Sequence, residues 1–306
     1  MSNFKSLSEL LRSNPTEQDC INYLENIIWK GKQPVSPHDP TSIVYKCKSN
    51  RYKCKNTGKY FTAKSLTVFR NSKISLLDWF WTLCFFSSNK KGISSCQLTK
   101  YIGITQKSAW FVLHRLRETF KNPIFIKDML DGSVEIDETF IGGKNGNRHW
   151  DKKVSNSQGR SWKDKVPVLG ILERSGNLIT QVIPNTRQET IEPIIREYIK
   201  ESSNVYTDEW FAYKDLNKWF NHQIVNHRIK QYVNGKATTN SIENVWSHFK
   251  RSINTYHQIS KKHLPKYVNE FTFRYNTRKY KVQETFDLAL LSSVGKSLSY
   301  RELVLA

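Results

Sequence analysis

From Val134 onward the chain follows a pattern that few folds can accommodate. Three apolar segments with strand character come first, Val134–Ile141, Val166–Glu173 and Leu178–Pro184, and the four residues R-S-G-N join the last two. An amphipathic helical segment, Gln188–Lys200, and a short strand, Asn204–Thr207, follow. Strands joined by short turns pair antiparallel, whereas a strand reached through a helix can pair parallel. The order therefore predicts an α/β fold, a mixed sheet with helices packed on its faces.

The first of these strands, V-E-I-D-E-T-F-I, carries three acidic residues within four positions. A carboxylate in mid-strand disfavours the strand and is costly when it is buried without a partner. A divalent cation near Asp137 would offset that cost, but a solvated sheet face or an ion pair with Lys or Arg would explain it too. Alternation along the strand predicts two faces, one with Val134, Ile136 and Glu138 and the other with Glu135, Asp137 and Thr139.

Two later acids stand at positions that could converge on the first. Asp208 directly follows a short strand, where ligands often bind in sheets with parallel strands, although it could instead cap the next helix. Glu243 lies in a segment with helical apolar spacing, and Asn240 as N-cap could form a capping box with it. Lys250 follows Glu243 by two helical turns, roughly 10 Å along the axis, which suits a phosphate contact.

The order of these acids indicates a chemistry. Asp137 and Asp208 are 71 positions apart, and Glu243 follows 35 positions later. Carboxylate oxygens are the ligands that Mg²⁺ prefers, and two such ions can activate an attacking oxygen and stabilise a leaving one at phosphorus. The hypothesis is metal-dependent phosphoryl transfer without a His or Cys nucleophile.

A pair of helices joined by a tight turn is predicted upstream. Ser94–Tyr101 would form the first helix, Gly103 would adopt a positive φ in the turn, and Thr105 would cap the second helix. This pattern is typical of a DNA-binding helix-turn-helix, but it also occurs in plain helical bundles. The second helix has a predicted buried stripe, and three residues are left for DNA: the stripe is Ala109, Val112, Leu113 and Leu116, and the DNA-binding residues are Gln106, Lys107 and Arg115.

Composition favours a polyanionic partner. The chain has 306 residues with 48 Lys and Arg against 27 Asp and Glu, a formal net charge of +21. Nucleic acid is the usual partner of such a surface, although an unspecialised basic surface or a ribosome-associated protein fits as well. Five scattered cysteines imply no disulfide framework. With no apolar run long enough for a membrane and no signal-peptide core, we expect a cytoplasmic protein without a membrane partner.

Three segments together resemble the DDE transposases of bacterial insertion sequences, specifically the group related to the eukaryotic Merlin elements. They are E-I-D-E-T-F-I-G-G-K, Y-T-D-E-W-F-A-Y and T-N-S-I-E-N-V-W-S-H-F-K-R. A fourth segment, E-F-T-F-R-Y-N-T-R, matches the C-terminal signature of that group. The resemblance covers residues 16–280.

The resemblance implies an RNase H-like catalytic core in which Asp137, Asp208 and Glu243 are the catalytic residues and bind two Mg²⁺ or Mn²⁺ ions. It implies cleavage of DNA at the element ends by water and joining of the freed 3′-OH to target DNA. Lys250 matches the family's basic residue, and Asn240 and Lys144, at the start of a basic loop, are further candidates for DNA contact. Because two ends must be held together, we expect a homodimer or higher oligomer on transposon-end and target DNA, at the bacterial nucleoid.

The family's zinc ribbon is degenerate in this chain. Its members usually carry two C-x-x-C knuckles, but S-P-H-D and C-K-N-T stand at those places and only Cys54 remains of four ligands. A structural zinc site is normally closed by four ligands, so we expect a ribbon-like fold without zinc. The expected core of this ribbon is aromatic and consists of Tyr45, Tyr52, Tyr60 and Phe61.

The predicted domain order follows from these segments. It is an N-terminal helical segment (1–33), the degenerate ribbon (34–64), a helix-turn-helix domain (65–125), the catalytic domain (126–282) and a C-terminal tail (283–306). The main hypothesis is an active transposase. An RNase H-like nuclease or junction resolvase that cuts without joining, and a transposase-derived DNA-binding regulator with an inactive core, remain alternatives.

Overall fold

The structure is a computed structural model that describes residues 4–121, 128–143, 146, 149–155, 165–226 and 238–305. The chain divides into two compact units, one of residues 1–123 together with 279–306 and one of residues 124–278. Within the described ranges, no helix combines the length and the apolar character needed to span a bilayer.

Helices and strands are numbered here in chain order. The helices are α1 (Leu7–Ser13), α2 (Glu17–Trp29), α3 (Leu76–Ser88), α4 (Ser95–Ile102), α5 (Gln106–Thr119), α6 (Gln188–Tyr198), α7 (Asn240–Asn254), α8 (Leu264–Asn276), α9 (Val282–Ser292) and α10 (Tyr300–Leu305). The strands are β1 (Val44–Lys46), β2 (Tyr52–Cys54), β3 (Tyr60–Phe61), β4 (Ser133–Ile141), β5 (Val166–Glu173), β6 (Leu178–Val182), β7 (Asn204–Asp208) and β8 (Asn221–Val225).

The C-terminal segment is part of the first unit rather than a separate tail. Phe286 of α9 is fully buried, and its ring centroid lies 5.6 Å from that of Phe4 and 5.2 Å from that of Phe80. The Tyr23 hydroxyl of α2 donates a hydrogen bond to Asp287. The predicted tail at 283–306 is therefore wrong, because its apolar face completes the core of the N-terminal helices, and the unit boundary falls after Arg278 instead of residue 282.

The two predicted helices around Gly103 are present as α4 and α5. Gly103 ends α4 with φ +66°, a conformation that glycine adopts without steric cost. The Thr105 hydroxyl accepts a hydrogen bond from the Ser108 amide at 3.3 Å and so caps α5. The predicted stripe of α5 is buried, which confirms the helices, while their contact with DNA stays a prediction.

Arg115 does not lie where the prediction put it. Its side chain is buried, its Nη2 donates to the Arg70 carbonyl at 2.6 Å, and its guanidinium lies 5.6 Å from the Trp79 ring centroid. Burial lowers its pKa to about 10. The reason is helical geometry: Arg115 follows the buried Val112 by three residues and shares its face. The predicted DNA contact of Arg115 is therefore wrong.

The predicted ribbon is a three-stranded antiparallel sheet in the order β1-β2-β3. Tyr52 and Phe61 are buried and stack with ring centroids 5.7 Å apart, and Trp29 of α2 packs edge-on against Tyr52 at 5.0 Å. Tyr45 and Tyr60 are exposed, so the expected aromatic core holds for two of its four members. Tyr45 and Tyr60 both pair with Lys53, so they lie on the face of the sheet opposite to Tyr52 and Phe61.

Hydroxyl groups surround the remaining cysteine of the ribbon. Burial raises the pKa of Cys54, but hydrogen bonds from Ser36, Ser42 and Thr57 outweigh that effect and lower the pKa to about 6. Ser36 and Thr57 belong to the two tetrapeptides that stand in place of the family's zinc knuckles. Side-chain hydroxyl groups of this segment thus hydrogen-bond to the Cys54 thiol.

The second unit contains a five-stranded mixed sheet in the order β6-β5-β4-β7-β8. Strands β4, β5 and β6 pair antiparallel, whereas β4, β7 and β8 pair parallel, which confirms the mixed α/β sheet. Edge strand β8 was not predicted, because N-H-Q-I-V is short and mostly polar.

Each face of the sheet has its own core. Val134 and Ile136 of β4 pack with Val205 of β7 and with the buried face of α6. On the opposite face, Val168 of β5 and Trp246 of α7 belong to a second cluster with α8. The side chains of β4 therefore alternate between the two faces of the sheet, as predicted. The even-numbered residues of β4 face α6, and the odd-numbered residues face α7.

Candidate active site

The first two predicted acids lie on neighbouring parallel strands of the sheet. In the parallel pair of β4 and β7, Glu135 lies opposite Tyr206. Continuing this register by two residues sets Asp137 beside Asp208, and paired residues point to the same face of a sheet. The two carboxylates therefore leave neighbouring parallel strands on the face that carries α7.

The backbone after β7 orients Asp208. Its side chain is 6% exposed, and its Oδ1 accepts a hydrogen bond from the Trp210 amide at 3.0 Å. The following 3₁₀ helix, Phe211–Tyr213, has Trp210 as its N-cap, without a side-chain capping bond. The alternative that Asp208 caps the next helix is therefore wrong, and its carboxylate is held in a tight turn at the strand end.

The negative charges of these acids act on one buried phenol. Tyr213 is almost completely buried, and its pKa is raised well above the usual value, first by burial and then by the negative charges of Glu138, Asp137 and Asp208. Carboxylates from β4 and β7 therefore act electrostatically on one hydroxyl group. Since the phenol stays neutral, it adds no negative charge to this acidic cluster.

The third predicted acid stands on the first turn of α7. Thr239 is the N-cap and Asn240 the first helical residue, so the predicted capping box with Asn240 as N-cap is wrong. Its Asn240 amide donates to the Thr238 hydroxyl at 3.2 Å, and the Thr239 hydroxyl donates to Glu243 Oε1 at 3.1 Å. Glu243, Asn240 and Lys250 are all exposed on this helix.

Close packing fixes α7 above the aspartates. Gly170 of β5 lies directly opposite Asp137 in the antiparallel pair. A Cβ atom at Gly170 would come within 2.4 Å of Cζ2 and 2.7 Å of Cη2 of Trp246, so the indole lies against bare backbone. Glycine inside the apolar strand V-P-V-L-G-I-L-E was the available signal for such close approach, and the sequence interpretation missed it.

The donor chemistry fits a hard divalent cation, but the three acids do not form one closed ligand set. Among the residues that the structure describes, no group of three His, Cys, Asp or Glu side chains is arranged to hold a metal ion. Asp137 and Asp208 supply carboxylate oxygens from adjacent strands, the donors that Mg²⁺ and Mn²⁺ favour. Asp137 and Asp208 thus lie on neighbouring strands, and Glu243 lies on α7.

The remaining predicted DNA contacts are spread over both units. Gln106 and Lys107 are exposed on the first turn of α5; the Gln106 amide nitrogen donates to Ser95 Oγ at 2.9 Å, and Lys107 Nζ lies 5.1 Å from the Tyr300 ring centroid. Lys144 lies outside the described residues.

Known proteins that are similar to this chain are connected with transposable elements. Residues 129–276 match the ISXO2-like transposase domain. An uncharacterized protein in transposable element ISH50 of Halobacterium salinarum is 29% identical over 274 residues, which are 85% of this chain and 90% of that protein. An uncharacterized transposase-like protein of Haemophilus influenzae is 36% identical over 105 residues, 34% of this chain and 85% of that protein.

One solved structure is also similar. The crystal structure of the Mos1 strand transfer complex shares 13% sequence identity with a TM-score of 0.31, covering 68% of this chain and 75% of that chain.

The matched domain contains the mixed sheet and helices α7 and α8, on which all three predicted acids lie. The domain match identifies the class of protein as a transposase. The chain belongs to the insertion-sequence transposases that carry an ISXO2-like transposase domain. Its assignment to the Merlin-related group stays a prediction.

Proposed function

We propose that this transposase cuts DNA at the ends of its element and joins the freed 3′-OH to target DNA. Water attacks phosphorus in the first step, and the 3′-OH attacks in the second. The observation that supports this proposal most directly is the parallel register of β4 and β7, in which Glu135 pairs with Tyr206, two residues before Asp137 and Asp208 on their strands. The sheet would then be the RNase H-like core that the sequence resemblance implies.

Asp137, Asp208 and Glu243 would hold two Mg²⁺ or Mn²⁺ ions. When bound, such ions activate an attacking oxygen and stabilise a leaving oxygen at phosphorus. Asp208 is held for this role by the Trp210 amide, and the neutral Tyr213 adds no charge beside it. Glu243, exposed on the first turn of α7, would supply the third carboxylate.

DNA would be bound by basic and polar residues of both units. Gln106 and Lys107 at the start of α5 are proposed to contact the element end, as the recognition helix of a helix-turn-helix does. Lys250 and Asn240 on α7, and Lys144, are proposed to contact the DNA backbone near the site. We expect a homodimer or higher oligomer on two element ends, acting on DNA at the bacterial nucleoid.

A strand-transfer assay tests the proposal. Purified protein is incubated with DNA that carries the inverted repeats flanking its element, with Mg²⁺ or Mn²⁺, beside an Asp208→Ala control. Joined products that disappear in the control are expected. Cleavage without joining would favour a nuclease, and binding that is unchanged in the control, without cleavage, would favour a DNA-binding regulator with an inactive core.

Replacing Lys107 or Lys250 by Ala is expected to weaken DNA binding uniformly across sequences. Each lost phosphate contact lowers the slope of log Kd against log salt concentration by about 1. Electrophoretic mobility shift at several salt concentrations measures this slope. Lys200→Ala is the control, because Lys200 Nζ already pairs with Asp131 at 3.0 Å; an equal change in the control would contradict specific contact by the other two lysines.

A further inference from the structure

An ion pair between the buried Glu135 and the partly exposed Arg174 lies on the α7 face of the sheet and has no part in the chemistry proposed above. Glu135 is 0% exposed, and both of its carboxylate oxygens are used. Oε1 accepts from Arg174 Nε at 2.8 Å, and Oε2 accepts from the Ile242 amide of α7 at 3.0 Å. The guanidinium of Arg174 also donates through Nη2 to the Thr238 carbonyl at 3.1 Å and lies 4.2 Å from the Tyr206 ring centroid.

The contacts of this pair fall next to each of the three predicted acids. Glu135 precedes Asp137 by two residues on the same face of β4. Tyr206 precedes Asp208 by two residues on the same face of β7. Ile242 directly precedes Glu243 on α7. One carboxylate and one guanidinium therefore connect the three segments that carry Asp137, Asp208 and Glu243.

Stability alone gives a weak reason for such a pair. The desolvation of the buried Glu135 carboxylate offsets much of its attraction to Arg174, whose side chain is 26% exposed. What the pair supplies is a fixed position for the N-terminal end of α7. A carboxylate that accepts an amide at the N-terminus of a helix fixes the end of that helix, and the helix dipole favours its charge. Arg174 holds the residues just before α7 through a second bond.

We propose that Glu135 and Arg174 are positioning residues that set the distance between Glu243 and the two aspartates, and that the divalent-cation site depends on them. This inference rests on the proposed function, since it concerns the same three acids. Neither residue touches the cation. Their loss would keep all three carboxylates in the chain but would let α7, which carries Glu243, shift against β4 and β7.

The test compares Glu135→Gln and Arg174→Lys with a matched buried pair in the same unit. Glu270 and Arg274 of α8 are also ion-paired, with both residues buried, and Arg274 Nη2 donates to Ser252 Oγ at 3.2 Å. Ser252 is nine residues beyond Glu243 on α7, roughly 13 Å along the axis at 1.5 Å per residue. Glu270→Gln and Arg274→Lys thus disturb a Glu–Arg ion pair that contacts the opposite end of α7 from Glu243.

Two measurements decide the outcome. Mn²⁺ binding to the full chain is followed by electron paramagnetic resonance, and DNA cleavage is measured against Mn²⁺ concentration. Outer residues that orient metal ligands typically change metal affinity by about 10-fold to 100-fold, and we expect this loss in Glu135→Gln and Arg174→Lys. The Glu270 and Arg274 variants are expected to melt at lower temperature but to keep wild-type Mn²⁺ affinity.

Wild-type Mn²⁺ affinity in folded Glu135→Gln and Arg174→Lys, or an equal loss in the control pair, would overturn the inference. If the wild-type chain binds Mn²⁺ but cuts no DNA, the proposed function fails, while the binding data still decide the role of Glu135 and Arg174. A wild-type chain that neither binds Mn²⁺ nor cuts DNA would overturn both proposals.

Discussion

Replacing Asp137 or Asp208 by Asn is expected to lower metal-dependent DNA cleavage by about a thousandfold or more. When several groups act together at one catalytic centre, the loss of any one of them removes most of the rate. Asn keeps the size of the side chain but loses the charge that a divalent cation requires. The rate is measured with end-containing DNA at saturating Mg²⁺. Binding of the same DNA is expected to persist, since the proposed backbone contacts come from other residues.

The control for these variants is Asp131→Asn. Asp131 precedes β4, is exposed and pairs with Lys200, so it tests the loss of one aspartate in the same unit away from Asp137. Its expected cleavage rate is that of the wild type. Cleavage that survives in both Asp137→Asn and Asp208→Asn would contradict the assignment of these two residues as metal ligands, whatever the role of Glu243.

The pairing of Asp137 with Asp208 could be anticipated because both depend on local patterns. Apolar alternation identifies β4, and the short strand pattern before Asp208 identifies the end of β7. A parallel arrangement then follows from the intervening helix α6. Sequence pattern and topology are therefore sufficient to place two of the proposed acids on neighbouring parallel strands.

The third acid and the DNA-binding residues depend on geometry that the pattern does not contain. The N-cap of α7 is Thr239, one residue before the predicted Asn240. The hydroxyl of Thr239 donates a hydrogen bond to Glu243. Arg115 is charged but occupies a buried helical position, because Arg70 and Trp79 provide partners that lie far away in sequence. Long-range partners of this kind cannot be inferred from one local segment.

Replacing Gly170 by Ala is expected to destabilise the fold by about 1–3 kcal/mol, the usual cost of overpacking a core. The added methyl group would lie 2.4 Å from Cζ2 of the buried Trp246, and backbone strands on both sides hold β5 in place. The indole must therefore move, and α7 with it. Urea unfolding of the wild type and the variant measures the loss.

The matched control is Gly176→Ala. A methyl group at Gly176 would meet the side chain of Glu173, whose nearest atom is the carboxylate oxygen Oε2. That carboxylate is the end of a flexible side chain and can turn away, so the control is expected to cost much less. Equal stability of Gly170→Ala and the wild type would mean that Trp246 does not hold α7 against β5.

A second substitution separates packing from other effects. Both Cζ2 and Cη2 belong to the outer ring of the indole, which Phe lacks, so Trp246→Phe should relieve the clash in Gly170→Ala. Residues in contact typically show a coupling energy of about 0.5–3 kcal/mol, and we expect a favourable value here. Because Trp246 follows Glu243 by three residues on α7, cleavage should fall in Gly170→Ala and recover in the double variant. Recovery of stability without recovery of cleavage would separate the packing of Trp246 from the position of Glu243.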